Sequence, residues 1–142
     1  MEKIFEVYGG AIGKQRPKGT SRGGFVRMYA PKKTIVYENL VSDAYLRKYT
    51  IDDMIQKPNG VSAKIIVLKK IPKSYTKKKT AAILNGEVCL ISKPDVDNVA
   101  KSVLDALNGI AYEDDTQVCN LHIEKHYTDL ESKVTVFLEE ID

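Results

Sequence analysis

Between Lys93 and Gly109 the chain carries one helix whose two ends and buried face are all marked in the residues. Asp95 is of the type that caps a helix start, and Asn108-Gly109 is a stop signal. Val96, Val99, Ala100, Val103 and Leu107 fall between them at helical spacing, so one continuous stripe must be buried under a second layer. Strands that could supply that layer are spread along the chain. Val61–Leu68, after the turn Pro58-Asn59-Gly60, is the strongest. Ile4–Tyr8 alternates, Gln117–Tyr127 follows an acidic turn, and Lys133–Leu138 turns Val134, Val136 and Leu138 to one side. Thr34–Lys48 has helix spacing at Val36, Tyr37, Leu40, Val41, Ala44 and Tyr45, and Ser74–Leu84 reads as a basic helix closed by Asn85-Gly86. Gly9–Gly24 is expected to be a long loop, Gly24–Tyr29 a short returning strand and Glu87–Ile91 a short edge strand. Interspersed helices and strands predict an α+β fold, a two-layer domain with a mixed β-sheet packed against helices, as one domain over residues 1–142.

The 142 residues suit one domain that buries enough surface to need neither disulfide nor structural metal. No run of 18 apolar residues occurs, so no membrane span is expected. The charged opening, Met1-Glu2-Lys3-Ile4-Phe5-Glu6-Val7, lacks the apolar stretch of a signal peptide. Cys89 and Cys119 have neither metal-knuckle nor redox-pair spacing, so reduced thiols and a cytoplasmic location are expected.

A net charge of +3 conceals a split chain. Residues 1–86 hold 18 Lys/Arg against 6 Asp/Glu, whereas residues 87–142 hold 4 against 13. A surface for a polyanion beside a site that concentrates carboxylates gives this pattern, and so do two solvated faces of opposite sign.

The acids cluster at Asp95-Val96-Asp97-Asn98 and again at Glu113-Asp114-Asp115. Asp95 and Asp97 start the helix, Lys101 lies one turn past Asp97 and Asp105 one turn further. If the connection after the helix returns beside its start, Asp114 and Asp115 join them. Two carboxylates about 4 Å apart repel by roughly 4 kcal/mol at an effective dielectric of 20, so gathering three needs a proton, a cation or a metal. Oxygen-only ligands select Mg²⁺ or Mn²⁺ over Zn²⁺, and such an ion binds phosphate oxygens and orients water. Asp and Asn at a helix start are also ordinary caps, and Asp114-Asp115-Thr116 is also an ordinary turn, so spacing alone leaves both readings open.

The composite string Lys93-Pro94-Asp95-Val96-Asp97-Asn98-x-x-Lys101-x-x-x-Asp105-Ala106-Leu107-Asn108-Gly109, followed by Asp114-Asp115-x-Gln117-Val118, resembles the signature of the RusA family of Holliday junction resolvases, often carried by prophages. Gly13-Lys14-Gln15-Arg16-Pro17-Lys18 and Tyr29-Ala30-Pro31-Lys32 are similar to that family's opening loop, so the likeness runs from about Ile4 to Tyr127. The resemblance implies that Asp95, Asp97 and Asp115 hold a metal, Mg²⁺ with Mn²⁺ as substitute, and that Lys101 is catalytic. Asp114 would assist or orient.

Two basic stretches are candidates for DNA contact. Lys69, Lys70, Lys73, Lys77, Lys78 and Lys79 lie around Tyr75, and Lys14, Arg16, Lys18 and Arg22 fall in the opening loop. Neither has the spacing of a base-reading helix, which favours recognition of DNA shape. Lys125 is a weaker phosphate-contact candidate. His122, Glu124 and His126 are expected on one strand face, as a polar face or as a histidine pair for metal. The function expected is a Mg²⁺-dependent endodeoxyribonuclease resolving four-way junctions by paired nicks, without a nucleotide cofactor. A two-fold substrate implies a homodimer. The alternatives are a nuclease for flaps or forks and a non-catalytic DNA-binding module.

Overall fold

A computed structural model describes residues 2–14, 18–22, 25–29 and 32–142, with side chains for 2–14 and 32–142. The elements in order are β1 (Glu2–Tyr8), β2 (Lys18–Arg22), β3 (Phe25–Tyr29), α1 (Lys32–Leu46), β4 (Gly60–Lys70), α2 (Lys77–Leu84), α3 (Val96–Leu107), β5 (Val118–Thr128) and β6 (Lys133–Ile141). Short 3-10 turns at Ile51–Asp53 and Asp115–Gln117 precede β4 and β5.

Four strands form one sheet in the order β1-β6-β4-β5. β6 runs antiparallel to both β1 and β4, and β4 runs parallel to β5, so the sheet is mixed and the fold is α+β as expected. The parallel step needs a long crossover, and the chain between β4 and β5 supplies α2, α3 and the acidic turn.

The strands bury one face, as their period-2 patterns predict. Phe5 and Val7 of β1, Val61, Ala63, Ile65 and Val67 of β4, and Val134, Val136 and Leu138 of β6 are all buried. Against them lie Tyr37, Val41 and Tyr45 of α1 and Val99, Val103 and Leu107 of α3. Burying one such side chain stabilises by roughly 1.5–3 kcal/mol, so the α3 stripe fixes where its first turn stands relative to the sheet. Lys3 is buried with this core. Its ammonium donates to the Tyr45 hydroxyl at 3.1 Å and to the Asp53 carbonyl, and burial holds its pKa below the usual lysine range.

Two expectations are corrected. The Gly9–Gly24 loop contains β2, paired with β3 from Lys18↔Tyr29 to Arg22↔Phe25; the partner strand completes a ladder that a basic, Gly-rich run does not signal alone. Glu87–Ile91 is not a strand. Gly86 turns the chain out of α2 at φ +78°, only Leu90 is buried, Ile91 is 91% exposed, and the segment has no ladder partner among the described residues.

Candidate metal and nucleic-acid site

The sequence places the two halves of the acidic set at the start of α3 and in the turn that follows it. Asp95 caps α3, yet its carboxylate makes no capping bond to the backbone and, among the described residues, accepts from Asn98 Nδ2 at 3.2 Å. Asp97 is exposed in the first turn. On the same stripe, the Lys101 ammonium lies 3.8 Å from Asp105. Asp105 also meets Lys14 at 3.1 Å, and Lys14 reaches Glu38 of α1 at 2.6 Å. The Lys14 amide donates to the Asn98 carbonyl at 2.8 Å, which docks the opening segment on α3.

The second acidic group is built by the 3-10 turn before β5. Asp114 accepts from the Thr116 amide at 3.1 Å, and its own amide donates to Gln117 Oε1 at 2.9 Å. Gln117 is buried and donates from Nε2 to the carbonyls of Ile55 and Asn59 at 3.2 and 3.0 Å, which pins the turn to the segment before β4. The carboxyls of the pair are pushed apart in pKa. The Thr116 amide, above all, holds Asp114 below the usual carboxylate range, while the hydrogen bond shared with Asp114 raises Asp115, with Asp105 adding to the repulsion.

Two clefts meet along α3. The larger, about 810 Å³, lies between residues 10–14, the end of β4 and the entry to α3, and its walls include Lys33, Lys69, Lys70 and Lys93 above Asp95 and Asp97. The smaller, about 570 Å³, runs between α3 and β5 and holds Asp97, Lys101, Asp105 and Asp115. Asp97 therefore borders both. The three carboxylates expected to share an ion are not gathered: among the described residues, no three Asp, Glu, His or Cys side chains could hold one metal ion. The donor set, all carboxylate oxygen, suits a hard divalent cation. The spacing does not enclose one.

The basic residues fall into distinct surroundings. Lys14 is tied into the carboxylate network. Lys69 donates to the Lys93 carbonyl at 3.0 Å, and Lys125 to the carbonyls of Ser92 and Pro94 at 2.8 and 3.0 Å. Lys70 meets Glu131 at 3.3 Å. Lys73, Lys77 and Lys78 are exposed, and the exposed Lys79 stands 3.8 Å over the Tyr75 ring. Lys18 and Arg22 sit on β2, whereas Arg16 lies outside the described residues. Spacing does not single out Lys33, Lys93, Gln117 or Glu38. Gln117 stands inside the acidic string, and the contacts of the others are purely tertiary. On β5, His122 and His126 hydrogen-bond the two oxygens of Glu124 at 2.8 and 3.1 Å, and those bonds, His122 first, lower the Glu124 pKa. Cys89 and Cys119 are free and exposed. No described helix is long and apolar enough to cross a membrane.

The family model for endodeoxyribonuclease RusA matches residues 9–139. The chain is also 36% identical over 139 residues to "uncharacterized protein YqaN" of Bacillus subtilis (strain 168), spanning 96% of this chain and 95% of that one. Both matches cover the acidic string, the 3-10 turn and the basic cleft together. The chain therefore belongs to the RusA family of endodeoxyribonucleases, hydrolytic nucleases that are generally divalent-metal dependent and act on branched DNA junctions.

Proposed function

We propose that this protein is a Mg²⁺-dependent endodeoxyribonuclease that resolves Holliday junctions by paired symmetric nicks in DNA recombination and repair, acting in the cytoplasm as a homodimer of one RusA-like domain spanning residues 1–142. Asp95, Asp97 and Asp115 are the ligand set, with Mn²⁺ as a substitute for Mg²⁺, and Asp114 orients Asp115. The observation that carries this reading is the position of Asp97, at the border between a lysine-walled cleft and a groove containing Lys101, Asp105 and Asp115. Ligation by all three carboxylates requires their oxygens to converge further than they do here, from a starting point in which Asp97 and Asp115 already line one cleft.

When bound, a divalent cation supplies Lewis-acid polarisation of the phosphate and neutralises developing charge. The chain's own residues do the rest. Lys33, Lys70 and Lys93 line the path of the strand phosphates, and the exposed lysines of α2 offer further phosphate contacts. Lys101, exposed and only loosely paired with Asp105, donates to a non-bridging phosphate oxygen. A two-fold junction nicked symmetrically needs two such sites, hence a second copy of the chain.

Incubation with a synthetic four-way junction, with and without Mg²⁺, tests this. Mg²⁺-dependent paired nicks are expected, and Asp97→Asn should lose cleavage by about a hundredfold or more while retaining binding, since a lost ligand costs several kcal/mol. Equal or better cleavage of flaps and forks would move the substrate assignment. Undiminished cleavage by Asp97→Asn would overturn the site.

A further inference from the structure

Three consecutive carbonyls, those of Ser92, Lys93 and Pro94, each accept a hydrogen bond from a lysine of the sheet. The donors are Lys125 of β5, which takes two, and Lys69 of β4, which takes one. The parallel register pairs Val67 with Lys125 and Lys69 with Tyr127, so the two lysines stand on neighbouring strands two positions apart, on the face that packs against α3. Both side chains are half-buried. Each ammonium has three donors and meets main-chain carbonyls rather than a carboxylate among the described residues.

That segment leads straight into Asp95, whose carbonyl opens α3 by accepting from the Val99 amide at 3.0 Å. Residues 92–94 have no helix or strand of their own to hold them. Their direction therefore depends on bonds from outside, and so does the direction in which Asp95 and Asp97 leave the sheet.

We propose that Lys125, seconded by Lys69, is a positioning residue: the pair clamps the Ser92–Pro94 carbonyls and thereby sets the Asp95 and Asp97 carboxylates for the reaction, rather than binding DNA phosphate. The proposal rests on the nuclease reading above. It reassigns two cations that composition alone counts toward the DNA surface. Charge-assisted bonds to carbonyls are lost when the ammonium is removed, and loosening the support behind reacting groups commonly costs about 10–100-fold in activity.

The test compares Lys125→Met, Lys69→Met and Lys125→Arg with the unaltered protein in three measurements on a four-way junction: kcat, junction Kd and hydrogen exchange at the Val99 amide. Methionine keeps the apolar stem and removes the charge. Lys125→Met is expected to lower kcat about tenfold or more, leave Kd within about twofold and speed Val99 exchange. Lys69→Met should show the same signature more weakly, and Lys125→Arg should restore most of kcat because its guanidinium can reach both carbonyls. Weakened Kd with unchanged kcat would make these lysines phosphate contacts and overturn the proposal, as would unaltered kcat and exchange. If Lys125→Met does not fold, the Lys69→Met signature decides alone, and its absence overturns the proposal. Asp97→Asn is run alongside. Undiminished cleavage there sinks the nuclease site itself, while Val99 exchange still reports on the clamp.

Discussion

Lys14→Met should destabilise the fold without weakening DNA binding, and the structure gives the size of the effect. The Lys14 ammonium sits 2.6 Å from Glu38 and 3.1 Å from Asp105, so the two carboxylates lie within about 6 Å of one another. All three side chains are less than a quarter exposed. With the cation gone, two carboxylates at that range repel by about 3 kcal/mol at an effective dielectric of 20. Residual exposure, salt and the Lys101 ammonium 3.8 Å from Asp105 reduce this to about 1–2 kcal/mol. For a domain of this size that corresponds to a fall in Tm of about 3–7 °C, read by circular dichroism at pH 7. Adding Glu38→Gln to Lys14→Met should recover most of the loss, because the repulsion disappears once either carboxylate is neutral. Burial alone would lower the Lys14 pKa, but the bonds to Glu38 and Asp105 outweigh it and hold the pKa above the ordinary lysine value. A base with a raised folded pKa contributes stability that is complete below its unfolded value, about 10.4, and is lost as pH rises through the folded one. The deficit should therefore be equal at pH 7 and pH 9 and shrink only in stronger alkali. An unchanged Tm, or a Glu38→Gln change that gives no relief, would refute the reasoning.

Replacing Lys77, Lys78 and Lys79 by Gln should lower the slope of log affinity against log salt by about 0.9 for each phosphate that those ammonium groups neutralise, and an unchanged slope would remove α2 from the docking surface. Burial raises the phenols of Tyr37, Tyr45 and Tyr112, that of Tyr45 to about 12. Stability that is complete below about pH 10 should accordingly fall as pH rises through the folded values, with these three phenols ionising at 295 nm only on unfolding. The Tyr37 hydroxyl is buried without a partner among the described residues, so Tyr37→Phe should leave Tm unchanged or raise it, and a clear loss would reveal a hidden hydrogen bond. A Cβ at Gly13 would fall 2.8 Å from Asn98 Cβ, so Gly13→Ala should cost about 1–3 kcal/mol in a thermal melt; an unaltered melt would contradict the close docking of the opening segment on α3.

The α3 helix was legible because its stripe, cap and stop agree, and the buried faces of β4 and β6 because their alternation is regular. β2 was not, since a strand of Lys, Gly, Thr, Ser and Arg owes its existence to the ladder with β3. Glu87–Ile91 misled for the opposite reason: among the described residues the run has no strand to pair with. At the site, the sequence supplied the acids and the lysines but not their partners. Charge counts treat Lys14, Lys69 and Lys77 alike, whereas the fold gives Lys14 two carboxylates, Lys69 a backbone carbonyl and Lys77 open solvent. Partners far apart along the chain carry no local signature. The same holds for the distance between the α3 start and the turn before β5, which the crossover sets and which spacing within either string cannot convey.

Calorimetric titration of Mn²⁺ into the protein, Asp97→Asn, Asp115→Asn and the double variant addresses the shared carboxylate site most directly. Each single substitution should weaken binding by at least about tenfold, and the double variant should be little worse than either, because residues that ligate one ion lose the same interaction. Full-strength binding by Asp115→Asn, or losses that simply add, would show that the acids at the start of α3 and in the turn before β5 do not serve a common cation.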